Sequence, residues 1–215
     1  MYKYIFFDLD GTLTNSEEGI IRSLEYAFDE LGLERPSYEL LKKFIGPPLV
    51  VSFRDYMSFD EELTAKAIEK YRERYIVTGI FENAPYDGIA ELLKELVDNG
   101  FRLAVATTKP EYMALKVTDH YDLTSYFETV SGAIGENDTK EAVIRRVCER
   151  MNIPESEWNS ILMVGDRKFD VIGAHDCGIK CCGVRYGFAP EGECEECGAD
   201  YIVTDVADLK KFLLN

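Results

Sequence analysis

The sequence predicts an α/β protein: a parallel sheet flanked by helices, with an all-helical segment inserted after the first strand. Three observations carry this expectation. Short apolar runs with little alternation recur at Tyr4–Phe7, Arg102–Thr107, Thr129–Ser131, Ile161–Val164, Lys180–Val184 and Tyr201–Val203, the pattern of strands covered on both faces. From residue 87 onward these runs alternate with helix-periodic stretches, as right-handed crossovers in a parallel sheet require. Residues 15–84 break the alternation and carry helical spacing with no convincing strand.

Taken in order, the first strand is followed at once by the insert. Within it Ile20, Leu24, Ala27, Phe28 and Leu31 recur at helical spacing, then Leu40, Leu41 and Phe44, then Leu63, Ala67, Tyr71 and Tyr75. Asn15-Ser16 and Asn83-Ala84-Pro85 read as its hinges. The expected organisation is therefore a core of residues 1–14 and 85–215 with a helical insert of residues 15–84. Beyond the insert, Ile89, Leu92, Leu93, Leu96 and Val97 form one helix face, stopped by Gly100. Ala142, Val143, Arg146, Val147 and Arg150 sit on a later helix, and Leu209, Phe212 and Leu213 on the last.

The chain has 215 residues, enough for one sizeable core with an accessory unit. Acids outnumber bases 40 to 24, a formal charge of −16. That field repels nucleic acid polymers and anionic membrane surfaces, so neither is an expected partner. A small anionic substrate would need local cations in its pocket. No apolar run approaches the roughly 20 residues of a membrane span, and the N-terminus reads directly into a strand, so a cytoplasmic protein is expected. Oligomeric state is not legible. The six cysteines read as buried free thiols rather than a disulfide framework. Zinc ligation by Cys194, Cys197, Cys181 and Cys182 is the weaker alternative, because neighbours on a strand point to opposite faces.

In open parallel sheets ligands bind beyond the carboxyl ends of the strands. The first strand there delivers Asp8 and Asp10, the second Thr107, Thr108 and Lys109, the helix after the third Lys140, and the fourth Asp166 and then Asp170. Buried strands rarely end on paired acids, because an uncompensated buried charge costs several kcal/mol. A divalent cation such as Mg²⁺ takes hard oxygen ligands of the kind Asp8, Asp166 and the backbone carbonyl of Asp10 supply. Lys140 and the Thr107 hydroxyl suit the oxygens of a phosphate ester. Asp8 then suits nucleophilic attack on phosphorus and Asp10 general acid–base transfer, with Asp170 behind them orienting Lys140. His120 and His175 match no catalytic spacing.

Asp8-Leu9-Asp10-Gly11-Thr12, Thr107, Lys140 and Gly165-Asp166 with Asp170 resemble the four motifs of the haloacid dehalogenase superfamily, in order and along nearly the whole chain. The insert resembles that family's C1-type cap. Phe44-Ile45-Gly46-Pro47-Pro48-Leu49, Thr107-Thr108-Lys109-Pro110, Val164-Gly165-Asp166-Arg167 and Tyr186-Gly187 are similar to the phosphoglycolate phosphatase and 5′-nucleotidase-like branch. The resemblance implies a Rossmann-like core and a Mg²⁺-dependent phosphatase of small phosphorylated metabolites with Asp8 as nucleophile. It also implies a cap that chooses the substrate; Gly46 and Pro47 are read as a loop of that cap that reaches the active site, as a lid would, rather than only an inter-helix turn. A sugar-phosphate mutase of the same build is the alternative. A dehalogenase is disfavoured by Asp10 and Asp166. Two departures stand out: Thr108 replaces a frequent asparagine or serine, and the segment 131–138 before Lys140 is unlike the usual pattern.

Overall fold

A computed structural model describes residues 2–135 and 138–215; Glu136 and Asn137, within the unusual segment before Lys140, lie outside the described residues. The chain divides into two units, Asn15–Ala84 and the remainder.

In the larger unit, β1 (Tyr4–Phe7) leads into β2 (Thr14–Asn15), the first of two short linker strands. Its partner, β3 (Ala84–Pro85), returns the chain, and the two form a separate ribbon. Between them lie α1 (Glu17–Glu30), α2 (Tyr38–Lys42), α3 (Leu49–Met57) and α4 (Glu61–Tyr75) of the smaller unit. After β3 the order is α5 (Ile89–Asp98), β4 (Arg102–Pro110), α6 (Glu111–His120), β5 (Thr129–Ala133), α7 (Lys140–Arg150), β6 (Ile161–Gly165), α8 (Lys168–Asp176), β7 (Lys180–Val184), α9 (Glu193–Glu196), β8 (Tyr201–Val203) and α10 (Val206–Leu214).

The main sheet runs β5-β4-β1-β6-β7-β8 with every described pairing parallel. Tyr4, Phe6, Ala104, Ala106, Ile161 and Met163 face α7 and α8, meeting Val143, Ile144, Val147, Val171 and Ala174. The alternate residues Ile5, Phe7, Leu103 and Val105 are equally buried on the opposite face, as a period of two dictates. Both faces being covered, the strands read as apolar runs. Successive strands leave β1 in opposite directions, to β4 and to β6. The sheet therefore has its switch point at β1, where ligand crevices open in such sheets.

Local chemistry accounts for the helix ends. Asp60, Thr139 and Asp205 accept hydrogen bonds from the backbone N–H groups of Leu63, Ala142 and Asp208 at the starts of α4, α7 and α10. Gly100, at φ +84°, closes α5 in the left-handed conformation that favours glycine. In the smaller unit Phe28, Phe44, Phe53 and Phe59 pack ring against ring.

Four expectations are corrected. The linkers are not strand-free, since Asn15 and Ala84 belong to two-residue strands too short to leave a periodic signal. Val97 faces outward at 42% exposure, off the stripe formed by Ile89, Leu92, Leu93 and Leu96. The second main strand continues past Thr107 to Pro110, with a register irregularity between Ala106 and Pro110. Five cysteines are buried free thiols, but Cys197 is only half-buried. No helix among the described residues is long and apolar enough to cross a membrane.

Candidate active site

The register of the sheet builds the site. Phe7 lies level with Val105 of β4 and Val164 of β6, so Asp8, Thr107 and Asp166 emerge at one edge, one or two residues further on. The Asp8 N–H still donates to the Val164 carbonyl at 2.9 Å, which ties the first acid to the end of β6. Asp8, Asp166 and Asp170 converge there, each buried, with one oxygen from each lying within 4.8 Å of the others.

Lys140, at the start of α7, enters this group from below. Its Nζ lies 2.9 Å from Asp8 Oδ1 and 2.7 Å from Asp170 Oδ1, and it donates to the Ala106 carbonyl at 2.9 Å. Burial works against the charge of Lys140, but the Asp170 and Asp8 carboxylates outweigh it and raise its proton affinity. The second oxygen of Asp170 accepts from the Arg167 N–H at 3.0 Å at the head of α8. Asp170 is thereby held between a lysine and a helix end.

Asp166 is treated differently. It makes no ion pair among the described residues; its oxygens accept from the Phe188 N–H at 2.7 Å and, at 3.5 Å, the Thr12 hydroxyl. Burial first, then the Asp170 and Asp8 carboxylates, push its pKa well above the carboxylate range. A side chain on Gly11 or Gly187 would place its Cβ 2.2 or 2.3 Å from Asp166 atoms, so two glycines form a close cradle for this one carboxylate. Three buried hard-oxygen donors, one of them without a cation, fit a divalent ion such as Mg²⁺.

Asp10 lies on the next turn of chain, and its carboxylate is turned to Lys109, whose Nζ is 2.8 and 3.1 Å from its two oxygens. The Lys109 N–H donates to Thr107 Oγ1 at 3.2 Å. Thr107 is buried and Thr108 half-buried. The contacts at the strand ends form two groups: Lys140 with Asp8 and Asp170, beside Asp166, and Lys109 with Asp10 and Thr107. Gly46 and Pro47 belong to the smaller unit, between α2 and α3, where Gly46 takes φ +105°. Arg54, in α3 of the same unit, pairs with Asp55 at 3.1 Å.

The sequence pattern did not reveal several supports. Tyr186 donates its hydroxyl to the Thr12 carbonyl at 3.0 Å. Glu193 accepts from Arg167 Nε at 2.8 Å and from the Lys168 N–H at 3.0 Å. The Cys194 thiol points at the Asp166 carbonyl, 3.3 Å away, and burial pushes its pKa up to about 12. Of these, Tyr186 and Arg167 lie in stretches that carry the family resemblance, Cys194 reads from sequence only as a thiol, and Glu193 leaves no trace.

The model of the haloacid dehalogenase-like hydrolases matches residues 5–184. A 5′-nucleotidase of Pseudomonas aeruginosa is 40% identical over 214 residues, covering 99% of this chain and 96% of its own. The tyrosine-protein kinase PtkA of Mycobacterium tuberculosis is 36% identical over 187 residues, 86% of this chain but 62% of its own. The crystal structure of a predicted phosphatase from Clostridium acetobutylicum superposes with a TM-score of 0.92 at 43% identity, covering 100% of this chain and 99% of that one. By the family match and these likenesses, the chain belongs to the haloacid dehalogenase-like hydrolases and stands among the family's phosphatases.

Proposed function

We propose that the protein is a Mg²⁺-dependent phosphomonoesterase that works through an aspartyl-phosphate on Asp8. The observation that carries this reading is the buried triad of Asp8, Asp166 and Asp170 around a lysine at the switch point of the sheet. Such a cluster is costly for stability, and its geometry suits an anion brought against a carboxylate nucleophile.

Asp8, Asp166 and the backbone carbonyl of Asp10 would hold the metal, and Mg²⁺ when bound supplies positive charge against the ester's phosphoryl oxygens. The remaining chemistry belongs to the chain. Lys140 screens the repulsion between the Asp8 carboxylate and the ester. Thr107 Oγ1, aligned by the Lys109 N–H, is placed to donate its proton to a phosphoryl oxygen. Asp8 Oδ attacks phosphorus, the ester P–O bond breaks, and the leaving oxygen takes a proton from Asp10. Asp10, now a carboxylate, takes a proton from water. The resulting hydroxide attacks phosphorus, and the P–O bond to Asp8 breaks to release inorganic phosphate. The helical unit, residues 15–84, would act as the cap that selects the substrate, with the Gly46-Pro47 turn as its contribution.

The near full-length likeness to a 5′-nucleotidase favours nucleoside monophosphates, with phosphoglycolate the next class to test. Phosphate release from a panel of monoesters, with Mg²⁺ and with EDTA, tests both substrate and metal. Equal turnover in EDTA would remove the metal from the reading. Asp8→Asn should lower kcat by about 10⁴-fold or more, as expected for loss of a nucleophile; wild-type turnover by that variant would refute the mechanism. Release of phosphate without a bisphosphate activator separates hydrolysis from the mutase alternative.

A further inference from the structure

Of the ionisable groups at the strand ends, Lys109 has no role in the mechanism beyond its backbone N–H. Its side chain is 6% exposed, and its ammonium sits against both oxygens of Asp10, whose side chain is 17% exposed. Lysines are seldom buried this deeply without a task, because removing the ammonium from water costs several kcal/mol and an apolar residue would pack more cheaply. Lys140 already serves Asp8 and Asp170. Lys140 thus holds Asp8 and Asp170, and Lys109 holds Asp10.

We propose that Lys109 is a positioning residue for the hydrolysis: its ammonium fixes the rotamer of Asp10 from which that acid hands its proton to the leaving oxygen and later takes one from water. This inference rests on the aspartyl-phosphate reading above. Two further features support it. Lys109 lies two residues beyond Thr107, in the irregular end of β4, and both are buried while Thr108 between them is half-buried. One short segment therefore serves Thr107 with its backbone, at 3.2 Å, and Asp10 with its side chain, at 2.8 and 3.1 Å. An aspartate has two rotatable side-chain bonds, and contact with both oxygens restrains both. Misplacing a reacting group by about 1 Å can cost about 10²-fold. Lys109 keeps its own proton throughout; only Asp10 exchanges one.

The test separates positioning from general support of the fold. It measures kcat/KM, which reports steps up to loss of the leaving group, for 4-nitrophenyl, 4-chlorophenyl and phenyl phosphate. These esters share a shape but need progressively more help from an acid. Asp10→Asn provides the reference steepness. Lys109→Met should follow the same trend, losing about 10²-fold with phenyl phosphate and less than about threefold with 4-nitrophenyl phosphate. Lys109→Arg should recover most of the loss. Equal losses across the three esters, or no loss, would overturn the proposal. If Lys109→Met does not fold, Lys109→Gln, which reaches one Asp10 oxygen, carries the same comparison. A flat response of Asp10→Asn, or turnover by Asp8→Asn, would instead strike the underlying mechanism.

Discussion

The two units of the chain both have apolar interiors but differ in the polar residues they bury. In the α/β unit Asp8, Asp166, Asp170, Lys109, Lys140 and Arg167 are all within the buried class. Among the described residues of the helical unit, the buried polar side chains are the hydroxyls of Ser16, Ser23, Ser52 and Thr64, and its centre is the aromatic group of Phe28, Phe44, Phe53 and Phe59. Apolar burial contributes roughly 25 cal/mol per Å² and asks for no partner. A buried charge is tolerated only with a counter-charge and aligned hydrogen bonds. The interior of the helical unit is thus largely apolar, whereas the α/β unit also holds a buried charged cluster at its strand ends, at a cost in stability.

The strongest way to break this contrast is to delete one anchor from each unit. Lys140→Met leaves Asp8 and Asp170 buried without their lysine and should cost about 3–5 kcal/mol in denaturant unfolding. Phe53→Ala, which opens a void against Phe28, Phe44 and Phe59, should cost about as much, roughly 3–5 kcal/mol. The two differ in their remedy. Measured against wild type in the same Mg²⁺, the first loss should shrink and the second should not, because the ion raises wild type and Phe53→Ala alike. Recovery of both, or of neither, would show that the two interiors respond alike.

A smaller effect sharpens the same point by its sign. Asp166→Asn removes a carboxylate that burial and two neighbouring acids disfavour, so the metal-free protein should gain about 1–2 kcal/mol while losing turnover. Thermal melts with and without Mg²⁺ read this directly, because an ion that binds only the native wild type raises its Tm alone. A lower metal-free Tm for the variant would mean the cluster is stabilising as it stands.

The smallest effect lies in the helical unit. Hydrogen bonding from Arg74, at 2.7 and 2.8 Å, outweighs burial and holds Glu82 below the usual carboxylate range, with Arg22 adding to it. A depressed pKa in the folded state means stability present above the ordinary glutamate value and lost as pH falls through the folded one. Glu82→Gln should therefore cost under about 1 kcal/mol at pH 7 and nothing near pH 2, since such pairs are partly screened. A cost that persists at pH 2 would assign the effect to packing.

How much of this was legible in the sequence depended on distance along the chain. The strands were readable because a doubly covered strand must be apolar throughout, and their ends because a charge interrupts it. Asp8, Asp10 and Asp166 stood out as strand-end residues because few packing arguments place acids at the ends of buried strands. Val97 was misread because one extra apolar residue beside a helix stripe looks the same whether it faces in or out.

Sequence alone therefore determined the layer architecture, the family and the acids and lysine at the strand ends, since periodicity and residue type act locally. Tertiary structure decided which lysine meets which acid: Lys140 on Asp8 and Asp170, and Lys109 on Asp10, 99 residues away. It also decided that the Phe188 N–H, 22 residues on, and two glycines would enclose Asp166. A lysine at a strand end has the same local signature whether it is solvated or paired. Sheet register and the irregular end of β4 set its direction, and those arise only when distant segments pack together.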